Sequence, residues 1–264
     1  MRICLSGATG SVGRHLVAAI LDDPEMTLLS AVARRTAGQD IGAVIGRSPT
    51  GIRVTDNLEA ALEQRPDVVI DYTHPSVIFD HAMAAIRHGV PIVIGTSGLT
   101  GKQFEEIDRA ARAAGVGVAT GNFSVTAAMM QHFALIAAQH APVWEVLEYN
   151  KPDKPDAPSG TAMELAEQLS AIRRPEIEIP IQKTFGRSEA RGANIDGTQV
   201  HAVRMPGFGS ACEAIFGLPG ERLTIRHELL GDDSVLVHGT LLAARRVRET
   251  PGLVRGLDRI LFGD

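Results

Sequence analysis

A short strand, a turn with glycines spaced three apart and an amphipathic helix open this chain, and no other feature restricts the fold as much. Ile3 and Leu5 alternate in the strand, Gly7-Ala8-Thr9-Gly10-Ser11-Val12-Gly13 forms the turn, and Val12, Leu16 and Ile20 mark one helix face. Glycines permit a tight turn and close backbone approach, and a helix N-terminus attracts negative charge. A G-x-x-G-x-x-G run placed there suits the pyrophosphate of a dinucleotide, although it differs from the G-x-G-x-x-G form. The next strand, Leu28 to Ala33, ends in Arg34-Arg35 rather than in an acidic residue. An acid there would bind a ribose 2′-hydroxyl and repel a 2′-phosphate, whereas arginine holds the phosphate with charge-assisted bonds. NADPH is therefore the expected cofactor, with NADH second.

Strands and helices keep alternating: Val68 to Asp71, Ser76 to Arg87, Val90 to Ile94, Gln103 to Ala114 and Gly115 to Ala119. Repeated βα units predict an α/β fold with a parallel, doubly wound, Rossmann-type sheet. Ligands of such sheets bind at the carboxyl ends of the strands. Gly95-Thr96-Ser97 and Gly121-Asn122-Phe123-Ser124 end two of these strands and join the cofactor candidates. After a helix from Val125 to about His140, the pattern changes to strands at Val143 to Tyr149, Val200 to Met205, Cys212 to Gly217 and Leu223 to His227. They predict a second α+β domain on an open mixed or antiparallel sheet, with one wet face or a face covered by another subunit. Gly186 to Gly197 reads as a mobile loop, and helices are expected at Leu241 to Arg248 and Leu253 to Leu261. The expected domains are residues 1–124 with 240–264, binding dinucleotide, and residues 125–239, binding substrate and forming the oligomer.

Residues 154–161, Lys-Pro-Asp-Ala-Pro-Ser-Gly-Thr, carry the chemistry. Pro155 and Pro158 stiffen the approach to a helix whose face runs through Leu165, Leu169 and Ile172. Ser159 or Thr161 can cap it, and Thr161 with Glu164 has capping-box spacing. Small residues at a helix start, two hydroxyls and Lys154 make a berth for a carboxylate or phosphate.

The net charge of −5 offers no general attraction for nucleic acid or an anionic membrane. Two cysteines, Cys4 and Cys212, exclude a disulfide framework and fit a reduced, cytoplasmic setting. No apolar stretch of spanning length, signal peptide or metal-ligand spacing is visible, so neither membrane nor metal is expected. A short-chain dehydrogenase needs Tyr-x-x-x-Lys, but Tyr72 and Tyr149 are followed four residues on by Ser76 and Asp153.

The glycine turn, Asp71-Tyr72-Thr73-His74-Pro75, Gly95-Thr96-Ser97-Gly98, Asn122-Phe123-Ser124-Val125, Lys154 to Ala162 and Gly220-Glu221-Arg222-Leu223 together resemble the dihydrodipicolinate reductase family over nearly the whole chain. The resemblance implies a Rossmann domain, a second domain on an open sheet, a homotetramer, and hydride transfer from NAD(P)H to a cyclic imine dicarboxylate in lysine and diaminopimelate biosynthesis. It places cofactor on Gly7 to Val12, Arg34, Gly95 to Ser97 and Gly121 to Ser124, a substrate carboxylate on Gly160 and Thr161, and proton transfer on Lys154. The family's pattern carries two adjacent histidines before the lysine; this chain has Asn150 and Lys151 there. Its arginine in the glycine turn is Ser11 here, and its Gly-x-His after an arginine is Ser210-Ala211-Cys212 following Arg204. Lys151 is thus a second proton-donor candidate beside Lys154, since a neighbouring cation lowers a lysine's pKa, and Asn150 can bond substrate without titrating. A reduced rate, another imine or keto acid as substrate, and a non-catalytic NADPH sensor all remain open on this reading.

Overall fold

The computed structural model describes residues 1–263, which divide into two compact units, Met1–Val125 with the segment from Asp233, and Thr126–Asp232. In chain order the first unit contains β1 (Arg2–Ser6), α1 (Ser11–Asp22), β2 (Thr27–Val32), α2 (Ile41–Val44), β3 (Val54–Thr55), α3 (Leu58–Leu62), β4 (Val68–Asp71), α4 (Ile78–Arg87), β5 (Ile92–Ile94), α5 (Gly101–Ala114) and β6 (Gly117–Thr120). There follow α6 (Val125–His140), β7 (Val143–Asn150), α7 (Gly160–Ile172), β8 (Ala193–Ile195), β9 (Thr198–Arg204), β10 (Ser210–Leu218) and β11 (Glu221–Leu229). The chain closes with α8 (Val237–Arg246), β12 (Gly252–Arg255) and α9 (Leu257–Phe262).

The first unit is a seven-stranded sheet in the order β12-β6-β5-β4-β1-β2-β3, with every pair parallel. The order turns back between β1 and β4, so the ends of these two strands form the switch point where α/β sheets take ligands. Both strands are apolar and fully buried along Ile3–Leu5 and Val68–Ile70, as a sheet covered on both faces requires. Leu16, Val17 and Ile20 bury one face of α1. Helix α5 begins two residues before the sequence suggests, because Thr100 caps it and Gln103 closes the box on the Thr100 amide.

The second unit is a five-stranded sheet in the order β11-β10-β7-β9-β8. It is mixed: β7 and β9 run parallel, joined by a crossover through α7, and the other pairs are antiparallel. Leu165, Ala166 and Leu169 of α7 pack on Trp144, Val146, Val200 and Phe216. Ile172, expected on that face, is 42% exposed as the last residue of the helix.

Two expectations are corrected. Residues from Leu253 form no continuous helix: Gly252 (φ 100°) and Gly256 (φ 97°) bracket β12, which pairs with β6 as a seventh parallel strand. Two left-handed glycines four residues apart leave no room for a helix between them. The segment 186–197 is not an open loop either. Asp196 (φ 51°) and Gly197 (φ 114°) make a two-residue turn between β8 and β9, and Asp-Gly is a strong hairpin signal. No helix among the described residues is long and apolar enough to cross a membrane.

Candidate active site

The glycine turn follows β1 at the switch point. Gly7 stands at φ 81°, and a Cβ there would collide with the Tyr72 carbonyl; one on Gly13 would strike the Gly7 carbonyl. The helix therefore lies against the strand ends with nothing between. Gly7 and Ala8 amides bond the Val32 carbonyl (2.9 and 3.2 Å), which ties the turn to β2. Arg14 braces it from behind through the Thr9 carbonyl (3.1 Å) and the Val44 carbonyl (3.0 Å). The first helical bond runs from the Arg14 amide to the Gly10 carbonyl (3.1 Å), so the amides of Ser11, Val12 and Gly13 precede the ladder and form the electropositive end of α1.

In front of this end lies a cavity of about 350 Å³ lined by Gly10, Ser11, Val12, Tyr72, Thr73, Pro75, Gly95, Thr96 and Ser97. Three separated sequence stretches thus meet in one place. Asp71, fully buried at the end of β4, organises the wall. It accepts from the Thr73 amide (3.0 Å) and hydroxyl (2.6 Å) and the Thr96 hydroxyl (3.1 Å), and lies 2.8 Å from His81 Nδ1. Burial pushes the Tyr72 hydroxyl well above the ordinary range, and its oxygen is 2.7 Å from Thr240 Oγ1. A glycine turn with no room for a Cβ, fronted by a cleft at the switch point, fits a dinucleotide. Arg34 and Arg35 are exposed just beyond β2. Gly121 and Asn122 follow β6, but the Phe123 side chain is buried (1% exposed), so that residue offers a cofactor only its backbone.

In the second unit, β7 alternates so that Trp144, Val146, Glu148 and Asn150 share the buried face. Glu148 is fully buried and receives the Asn150 amide (2.9 Å), the Ser159 backbone N–H (2.9 Å) and Arg204 Nη2 (2.7 Å). A buried carboxylate persists only when its oxygens are paired and bonded in this way. Arg204 continues outward to the carbonyls of Asp156 (2.5 Å) and Lys154 (3.4 Å). The pair Glu148–Arg204 therefore clamps both ends of the segment 154–159. Glu148 and the clamp escape sequence reading, because partners 56 residues apart have no local signature.

The cap of α7 is Ser159, whose Oγ accepts from the Ala162 amide (3.4 Å); the Thr161–Glu164 box does not start the helix. Ser159 already has the extended backbone a cap needs, held by Glu148, so the helix begins at Gly160. Gly160 and Thr161 make its first turn. Lys154 Nζ lies 2.8 Å from Asp156 Oδ1, and the lysine holds that carboxyl below the usual range. The immediate neighbour of Lys154 is thus an anion, not the cation Lys151, which is exposed. Cys212 is no general acid: burial and the Glu148 and Glu213 charges push its thiol up to about 12. A larger cavity of about 750 Å³ opens at the opposite end of β7, on Val143, Trp144 and Glu145, and contains none of the predicted site residues.

The family profile "Dihydrodipicolinate reductase, N-terminus" matches residues 1–123, and "Dihydrodipicolinate reductase, C-terminus" matches residues 125–261. The chain belongs to the dihydrodipicolinate reductase family. This family member is an NAD(P)H-dependent oxidoreductase. It is 39% identical to 4-hydroxy-tetrahydrodipicolinate reductase of Synechococcus elongatus, over 98% of each chain. Against the enzyme of the same name from Desulfitobacterium hafniense it is 37% identical, over 99% of this chain and 98% of that one. Among solved structures, the dipicolinate-bound dihydrodipicolinate reductase of Paenisporosarcina sp. TG-14 superposes with a TM-score of 0.83 at 30% identity, over 98% of this chain and 99% of that chain. An amine dehydrogenase from Mycobacterium smegmatis, 17% identical with a TM-score of 0.69, shares the fold.

Proposed function

We propose that this reductase-family chain reduces 4-hydroxy-tetrahydrodipicolinate with NADPH in lysine and diaminopimelate biosynthesis. The observation that carries this reading is the intact Lys154–Thr161 segment, clamped by Glu148 and Arg204 onto the N-terminus of α7. Bound NAD(P)H supplies the hydride. The glycine turn, Arg34, Arg35, Gly95 to Ser97 and Gly121 to Ser124 hold it, which makes the first unit, Met1–Val125 with the segment from Asp233, the dinucleotide-binding part. The second unit, Thr126–Asp232, holds the substrate. Ser159, Gly160 and Thr161 take one carboxylate through hydroxyls and first-turn amides, where the helix dipole favours negative charge. Lys154 gives the proton that balances the hydride, with Lys151 as the second donor. Asn150, tied to Glu148, bonds substrate with its remaining amide capacity.

The support for a tetramer is apolar surface left open by the single chain: Met129, Phe133 and Ile136 along α6, and Leu223 on β11, are 38–50% exposed. We place the enzyme in the cytoplasm, where free thiols such as the buried Cys4 and Cys212 stay reduced.

The reading is tested by following NADPH absorbance with freshly generated 4-hydroxy-tetrahydrodipicolinate beside a two-histidine homologue. Turnover within about 10²–10⁴-fold of the homologue is expected, the range one general acid commands. Bound NADPH without turnover would favour another imine or keto acid, the reading that Asn150, an amide that cannot titrate, already supports. Cofactor choice has a separate test. Arg34→Ala with Arg35→Ala should weaken NADPH binding by about 10–100-fold, since a bond to a charged group contributes about 1.5–3 kcal/mol, and leave NADH nearly unchanged. Equal losses for both cofactors would show that these arginines do not read the 2′-phosphate.

A further inference from the structure

At the first residue of α1, the Ser11 hydroxyl donates to the carboxylate of Asp233. Asp233 opens the segment that returns the chain to the first unit, a short helical turn over Asp233–Leu236. That turn is held in place. The Thr240 hydroxyl donates to the Leu236 carbonyl (2.7 Å) and lies 2.7 Å from the Tyr72 hydroxyl in the cavity wall. The Asp233 charge adds, after burial, to the upward displacement of the hydroxyl of Tyr72, which lines that cavity. A fixed anion of the protein therefore sits at the electropositive end of α1, beside the turn proposed for the cofactor.

A dinucleotide brings its pyrophosphate to that turn. A carboxylate bonded to the Ser11 hydroxyl at the same helix end repels it across a few ångströms. We propose that Asp233 is an affinity-setting residue: an internal anion on the glycine turn that weakens dinucleotide binding and so favours release of the spent cofactor. The inference rests on the cofactor site proposed above. Because NADPH and NADH share the pyrophosphate, Asp233 acts on both by the same factor, whereas Arg34 and Arg35 act on NADPH alone.

The experiment is a fluorescence titration of the full chain with NADPH and with NADH, for the wild type, Asp233→Asn and Asp233→Ser. Removing one unit charge should tighten both cofactors alike, by roughly 10-fold at low salt, and the gain should shrink at high salt as the repulsion is screened. Two substitutions guard against one that disturbs the turn. If the wild type binds and neither variant binds tighter, or both bind more weakly, Asp233 is a supporting contact and this inference falls alone. Unequal gains for the two cofactors would also overturn it. If neither the wild type nor the variants bind a dinucleotide, the proposed cofactor site falls with it.

Discussion

Lys154→Ala should lower kcat by about 10²–10⁴-fold, the contribution of a positioned general acid, while NADPH affinity stays at the wild-type value. The expectation follows from where Lys154 stands. Its backbone carbonyl is held by Arg204, its ammonium is paired with Asp156, and the side chain is only half-buried. The lysine is thus anchored beside the N-terminus of α7, the proposed carboxylate site, yet remains within reach of solvent for reprotonation. Lys154→Arg separates charge from proton donation, because a guanidinium keeps the cation but gives up no proton at neutral pH. That variant should bind substrate nearly as well and turn over as slowly as the alanine variant. A loss shared between cofactor affinity and kcat, or Lys154→Arg at wild-type rate, would remove Lys154 from proton transfer and leave Lys151 as the donor to test.

Arg204→Met should destabilise the protein by about 3–5 kcal/mol, the usual cost of stranding one charge of a buried pair. Glu148 is fully buried and would keep only the Asn150 amide and the Ser159 N–H. The Arg204 side chain is 16% exposed, so water entering its place moderates the loss toward the lower figure. The segment 154–159 would also lose its clamp on the Asp156 and Lys154 carbonyls, so KM for substrate should rise while NADPH affinity is unchanged. Adding Glu148→Gln removes the stranded charge, and the double variant should recover most of the stability without recovering KM. Denaturant unfolding and steady-state kinetics on the three variants check this. A double variant no more stable than Arg204→Met alone would show that the pair's charge is not what matters.

How much of the fold is legible in the sequence depends on the range of the interactions. The strand–turn–helix at Ile3 to Ile20 follows from local hydrophobic period and the strand at Val68 to Asp71 from a short continuous apolar run, and the structure contains both, as it does the expected helix from Val125 to His140. The glycine turn was equally plain, since a conformation without room for a Cβ admits one residue type. Sequence and structure part where a weak local signal is outweighed. Leu253 and Val254 have apolar residues enough for a helix, yet two flanking glycines and the open edge of β6 make them a strand. The Asp196-Gly197 hairpin was a readable signal that a Gly- and Arg-rich composition obscured.

In each unit, the sequence by itself determined the chemical groups: glycines at a helix start and paired arginines after β2 in the first, and a lysine, serine and threonine before α7 in the second. These are local features, carried by backbone conformation and by residue types a few positions apart. Only the tertiary structure decided how those groups are held and which charges face them. Asp71 joined to Thr96 and His81, Glu148 joined to Arg204 and Ser159, and Asp233 on Ser11 are all decided by folding. The reason is physical. A buried carboxylate takes whichever donors the topology brings within hydrogen-bonding distance, and most of those donors lie tens to hundreds of residues away along the chain.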